Sequence, residues 1–316
     1  TQMIQNLPNN QNPILFFVSR LFILGGMVLV FSFTFLGLGM FISRFLFGVD
    51  LFSNPHLMNE MRTNIQVLRT MQLSQSLSAF GGFLLPALYF PRSFGMPAVS
   101  FLKANYVGNI FSWFWVPVLY LIATPFIGWT VELNEEFQLP ESWSILEAKL
   151  RAAENAALEL TKAFISNENG SSIAITILVT AIIPAIAEEF LFRGALLQLM
   201  FYCFKNRHVS IWIGAILFSA FHGQFYGFLP RMLLGVCLGY LVMAFGSIWP
   251  AVLFHLLNNA LVTLNVFYKW DEIGPDIFHS NFVFPWYINA ISFMLLAAAL
   301  YQLTCIWKKR VYPNGE

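Results

Sequence analysis

Charge is what this chain has least of. Only 10% of its 316 residues are Asp, Glu, Lys or Arg and 58% are hydrophobic, whereas ordinary soluble domains carry about 25% charged residues. That scarcity excludes a soluble globular domain, and the mean hydropathy of +0.66 agrees. A net charge of +1 gives no basic footprint for a nucleic acid, so the lipid bilayer is the expected surroundings. Cysteine is scarce as well. Cys203, Cys237 and Cys305 sit in apolar stretches at unrelated spacings, which implies buried small hydrophobes and no disulfide framework. HExxH is absent, as are internal repeats and low-complexity segments. Thr1 to Pro13 is polar and uncharged with no cleavable signal pattern, and the apolar run after it is too long for a signal core.

What the chain does have is long uncharged runs. A membrane helix needs about 20 apolar residues, and the gaps between charges predict an all-α, polytopic fold of about eight spans. These lie near 21–43, 70–91, 103–132, 172–203, 209–223, 228–246, 248–268 and 285–307. Ser53-Asn54-Pro55 reads as the start of a polar helix that runs into the second span. Four regions follow: helices one to three (1–131), an acidic extramembrane insertion (132–170), a core of helices four to seven (171–270), and the last span with its basic tail (271–316). Within the insertion, Trp143, Leu146, Leu150, Ala153, Ala157, Leu160 and Phe164 alternate three and four apart, the seam of an amphipathic helix over about 142–166. Its acidic face reads as a solvated one.

Basic residues set orientation. Arg92 and Lys103, Lys205 and Arg207, and Lys308 to Arg310 fall on one side, with the glutamate-rich helix and Asp271, Glu272 and Asp276 on the other. Arg44, Arg62 and Arg69 go against the pattern. The reading places both termini in the cytoplasm and the protein in a bacterial inner (plasma) membrane. Gly25-Gly26, Gly81-Gly82 and Gly37-Leu-Gly39 read as points of close helix approach.

Against this background AIAEEFLFRG, residues 185–194, stands out. Glu188 and Glu189 follow nineteen residues, Asn169 to Ala187, without a charge. A carboxylate in hydrocarbon costs at least ~2.5–3.5 kcal/mol, so such groups are functional by default and have a partner. Arg193 stands four residues after Glu189 on its helical face. Glu188, about 100° around the helix, must find partners on other segments. Pro184, one turn earlier, predicts a kink. His222 closes the fifth span in FSAFH, and His255 lies in the seventh in HLLNN with Asn259 on its face and Asn258 near. Taken singly, an intramembrane histidine suits a helix-to-helix hydrogen bond. Together the groups suit peptide hydrolysis: Glu188 as general base on a water, a histidine sharing that water or protonating the leaving amine, and Asn259 donating to the oxyanion. A divalent metal such as zinc on Glu188, His222 and His255 is the other option. Arg231 reads either as an interfacial snorkel or as a cavity group for a substrate carboxylate.

EEFLFR at 188–193 matches the EExxxR motif of the CPBP family, the CAAX proteases and bacteriocin-processing enzymes also called the Abi family. FSAFH at 218–222 matches its FxxxH motif, and HLLNN at 255–259 its HxxxN motif, all in the family's order. The chain thus resembles that family over about 175–268. The resemblance implies an eight-helix intramembrane endopeptidase, similar to the Ras-converting CAAX endopeptidase and commonly labelled a metalloprotease. Glu188 and His222 would activate water, His255 and Asn259 would stabilise the oxyanion or complete a metal site, and Glu189 and Arg193 would be structural. The implied partner is a peptide or protein substrate, lipidated or membrane-associated. Two other classes stay open: a non-catalytic membrane scaffold or binding protein of the same fold, and a proton-coupled transporter using Glu188, His222 and His255 as a relay.

Overall fold

The computed structural model describes residues 12–108, 110–165, 172–268 and 284–312. Among these, every regular element is helical. Helix α1 (Pro13–Phe47) starts with Asn12 capping the Ile14 N–H, has proline in its first turn, and ends at Gly48 in the left-handed region, as cap chemistry dictates. Among the described residues, six helices are long and apolar enough to cross a membrane: Ile14–Phe47, Ser112–Glu136, Ile173–Phe204, Phe228–Phe245, Trp249–Tyr268 and Trp286–Val311. The other two expected spans are helical without meeting both criteria. Arg207–Phe221 has 15 residues, and the stretch near 70–91 is divided into α2 (Ile65–Ala79), a π turn (Phe80–Leu84) and α3 (Leu85–Tyr89).

The polar helix expected to run on from Ser53-Asn54-Pro55 is instead a 3-10 turn, Pro55–Glu60. Regular helix starts afresh at Ile65, because the Asn64 side chain accepts from the Gln66 and Val67 N–H groups and so fixes a new N-terminus there. After a short α4 (Ala98–Phe101), helix α5 (Ile110–Glu136) leads to the insertion helix α6 (Ser144–Ile165). The fourth span is α7 (Ile173–Ile177), a π turn (Leu178–Ile182), α8 (Ile183–Glu189), a second π turn (Phe190–Leu196) and α9 (Leu197–Phe204). Then come α10 (Arg207–Phe221), α11 (Phe228–Phe245), α12 (Trp249–Tyr268) and α13 (Trp286–Val311).

The irregularity expected at Pro184 takes the form of a widened turn. Both Pro86 and Pro184 stand two residues after the end of a π turn, and in each case the residue before the proline donates one position further back than in an α-helix: Leu85 to Phe80 and Ile183 to Leu178. A proline ring collides with the carbonyl four residues earlier and offers it no N–H. Widening that turn relieves the collision, and the Thr180 hydroxyl adds a bond to the Thr176 carbonyl.

Helix α11 is the central post, with Gly235 to Phe245 buried in a core shared with α5, α12 and α13. A second core joins α1, the π turn at 190–196, α9 and α10. Helix α1 lies against α2 and its π turn where Gly39 backs onto Ser74, Gly81 onto Phe35 and Gly82 onto Ser32. A Cβ at any of these three would overlap its neighbour. Gly25 and Gly26 have nothing within 4 Å where a Cβ would stand, so they are not points of helix approach here.

Helix α6 packs only in part as its apolar seam suggests. Phe164 is buried with Ala163 and Ile165, but Trp143, Leu146 and Leu160 are exposed. The acidic face, expected to be solvated, makes specific contacts instead. Glu147 accepts from Arg151 and the Leu139 N–H, and Glu154 accepts from Gln224 and the Tyr226 N–H. Each ties α6 to a loop, which is why these glutamates turn inward. Asp271, Glu272, Asp276 and the ends of the chain, on which the orientation partly depends, lie outside the described residues.

Candidate active site

The two adjacent glutamates go in different directions. Glu189 is fully buried, and its Oε1 receives Arg193 Nη1 at 2.9 Å and His255 Nδ1 at 2.9 Å. Arg193, also buried, donates from Nη2 to the Gly235 carbonyl at 3.3 Å. One carboxylate therefore links α8, α11 and α12. Gly235 makes this crossing close, because a Cβ there would stand 3.0 Å from Ala215 on α10 and 3.3 Å from Arg193 and would press both neighbours back. Nothing in the sequence marks Gly235 apart from other glycines.

The ring of Phe218 fills the space beside this network. The Arg193 guanidinium carbon lies 4.2 Å from its centroid, and His222 and His255 meet it edge-on at 5.1 and 6.0 Å. A buried cation over an aromatic face is favourable. The Phe of the FxxxH string thus holds both histidines and the arginine, a role that spacing did not reveal.

Glu188 points into a cavity of about 520 Å³ whose wall also includes His222, His255, Asn258, Asn259 and Arg231. Its Oε2 is buried without a hydrogen-bond partner and lies 3.9 Å from His255 Nε2. That gap is too long for a direct bond, and a water about 2.8 Å from each atom would bridge it. His222, the more exposed imidazole, uses Nδ1 against the Phe218 carbonyl at 2.9 Å. A carbonyl only accepts, so Nδ1 carries the proton and Nε2 keeps its lone pair. Asn258 donates to Asn259 Oδ1 at 3.3 Å, which leaves the Asn259 amide N–H₂ as donor. Thr180 and Thr263 close one side with a 2.9 Å bond. The loop behind His222 is pinned by Asn134, which receives from Leu229 and donates to the Phe225 carbonyl.

All four residues expected to be catalytic therefore line one cavity, and the two expected to be structural form the network behind it. Residues 170–261 match the family model described as Rce1-like, type II CAAX prenyl endopeptidase. The Rce1-like segment contains Glu188, Glu189, Arg193, Phe218, His222, Arg231, Gly235, His255 and Asn259; helices α1 to α6 and α13 lie outside it. No curated protein and no solved structure matches the chain.

A metal on Glu188, His222 and His255 would need three ligand atoms about 2.0–2.2 Å from one point. Among the described residues, no three His, Cys, Asp or Glu side chains gather in that way. The two free Nε2 atoms are chemically suited to a metal, but this arrangement does not fit one.

Proposed function

We propose that the chain is an intramembrane endopeptidase that hydrolyses a peptide bond with a water activated by Glu188. The observation that carries this reading is the Glu188 Oε2, buried without a donor and 3.9 Å from His255 Nε2, in a cavity shared with His222 and Asn259. Glu188 takes a proton from water as the water oxygen adds to the carbonyl carbon. The His222 Nε2 lone pair accepts the other water hydrogen and orients the attack. The oxyanion is met by the Asn259 amide and by His255, whose protonated form Glu189 stabilises from behind. When the C–N bond breaks, Glu188 returns its proton to the leaving nitrogen.

The family match supports a protein or peptide as substrate. A second cavity of about 370 Å³ shares Leu234, Phe254, Asn258 and Val262 with the first and extends along Tyr120 and Ile127. That apolar extension supports a lipidated or otherwise membrane-borne chain as the substrate. Placement in a bacterial inner membrane with cytoplasmic termini belongs to the same proposal.

Cleavage of a fluorogenic peptide by purified protein in lipid nanodiscs tests the reading. Activity lost in Glu188→Gln with the fold intact supports it; uncleaved peptide across a broad library favours a binding protein of the same fold. Proton-coupled flux in liposomes without cleavage favours the relay. Elemental analysis with a chelator series tests the metal alternative, and zinc in the active protein with activity lost to chelator would replace the metal-free scheme.

A further inference from the structure

Arg231, in the first turn of α11, lines the same cavity as Glu188, His222, His255 and Asn259. A snorkelling arginine extends its head into water along an apolar surface. This one does the opposite: its side chain is only 20% exposed, and Nη1 is buried without a hydrogen-bond partner. The guanidinium lies over Gly227, where a Cβ would collide with it, so the glycine leaves room for this placement. Its facing anion is Glu154 of α6, with Oε1 3.8 Å from Nη2, beyond hydrogen-bond reach. The Glu154 oxygens already accept from Gln224 at 3.1 Å and the Tyr226 N–H at 3.2 Å. A planar fork of five donors, largely buried and, among the described residues, held by a long coulombic contact, is matched in shape and charge to a carboxylate.

We propose that Arg231 is the anion subsite of this cavity: it binds a carboxylate of the peptide, in competition with Glu154 of the insertion helix. This rests on the peptidase reading and deepens it. Two sources share the chemistry, a C-terminal carboxylate and an acidic side chain. The subsite makes Arg231 a specificity-determining residue outside the hydrolytic group, and it gives α6 a direct hold on substrate affinity.

Binding in detergent micelles, followed by anisotropy, tests this without depending on turnover. The probes are a fluorescein-labelled apolar hexapeptide with a free C-terminus, its C-terminal amide, and the amide carrying one internal Glu. In the Glu188→Gln background at least one carboxylate form binds about tenfold tighter than the neutral amide, the worth of one charge-assisted pair, and which form it is identifies the source. Arg231→Gln brings all three peptides to within about twofold of each other. Glu154→Gln, which keeps Arg231 in place, tightens the favoured carboxylate form several-fold and leaves the amide unchanged. Equal binding of the three forms, no binding of any, or an equal loss for all in Arg231→Gln overturns the subsite. A wild type that cleaves without discriminating refutes the subsite alone, and one that discriminates without cleaving refutes the peptidase alone.

Discussion

His255 donates from Nδ1 to Oε1 of Glu189 across 2.9 Å, and Arg193 donates to the same oxygen. Two donors from different helices thus converge on one oxygen of Glu189. The bond orients the imidazole and aims Nε2 at Glu188. The two neighbouring glutamates are therefore unequal, one holding the site together and the other facing its cavity.

Substitution should separate them. Glu188→Gln is expected to lower peptide cleavage by about 10²–10⁴-fold, the range of a lost general base, with little change in thermal stability. Glu189→Gln is expected to destabilise by about 3–5 kcal/mol, because it leaves the buried Arg193 uncompensated. Thermal unfolding in detergent beside cleavage rates reads both. Equal destabilisation by the two substitutions would show that Glu188 is structural as well.

Phe218 supports the same group by shape. Phe218→Leu keeps an apolar side chain but removes the ring from Arg193, His222 and His255. It is expected to cut cleavage more than stability, since both imidazoles lose their edge contact while the Glu189 network remains. A variant that loses stability in proportion to activity would refute that positioning role.

The glycines of α1 and its partner give a packing test. Gly82→Leu should destabilise by at least about 1–3 kcal/mol, the usual cost of overpacking, because the side chain would run into Ser32. Gly25→Ala should be neutral or stabilising by up to about 1 kcal/mol from helix propensity, as nothing stands near its Cβ position. Unfolding midpoints of the two variants side by side decide the point.

Glu147 gives a pH test outside the membrane segments. The hydrogen bond from Arg151, and then that from the Leu139 N–H, hold its carboxyl below the ordinary value of 4.5. With the folded value depressed, the attachment is present in full above the ordinary value and is lost only as pH falls through the lower folded one. A spin label on Ile145→Cys should stay immobile at pH 4.5 and loosen at more acid pH, whereas adding Glu147→Gln should loosen it at neutral pH. Identical mobility with and without Glu147→Gln would show that this carboxylate does not anchor α6.

The helical class, the positions of most spans and the membership of the cavity were legible because they rest on local signals. Uncharged runs mark spans, and Glu188, His222, His255 and Asn259 are conspicuous where polar groups are rare. What was not legible depends on crossings between segments distant in sequence. Gly235 matters because Ala215 and Arg193, both on other segments, crowd the place of a Cβ, and Phe218 because three polar groups converge on its ring. Glu147 and Glu154 looked solvated because helical periodicity describes one helix at a time and knows nothing of the loops at 137–139 and 224–226. The restart at Ile65 turns on a single Asn64 side chain, and Gly25-Gly26 shows that a small-residue pair does not by itself bring a neighbour close.

The segment Ile173–Phe204 has 32 residues, which at 1.5 Å each would extend about 48 Å, well beyond a hydrocarbon layer of about 30 Å. Its two widened turns at 178–182 and 190–196 advance less per residue than an α-helix does. Counting letters therefore overestimates how far this rod reaches. The two turns absorb only part of that surplus, and they lie on either side of Glu188, so the cavity-facing carboxylate sits between two thickened stretches of its own helix.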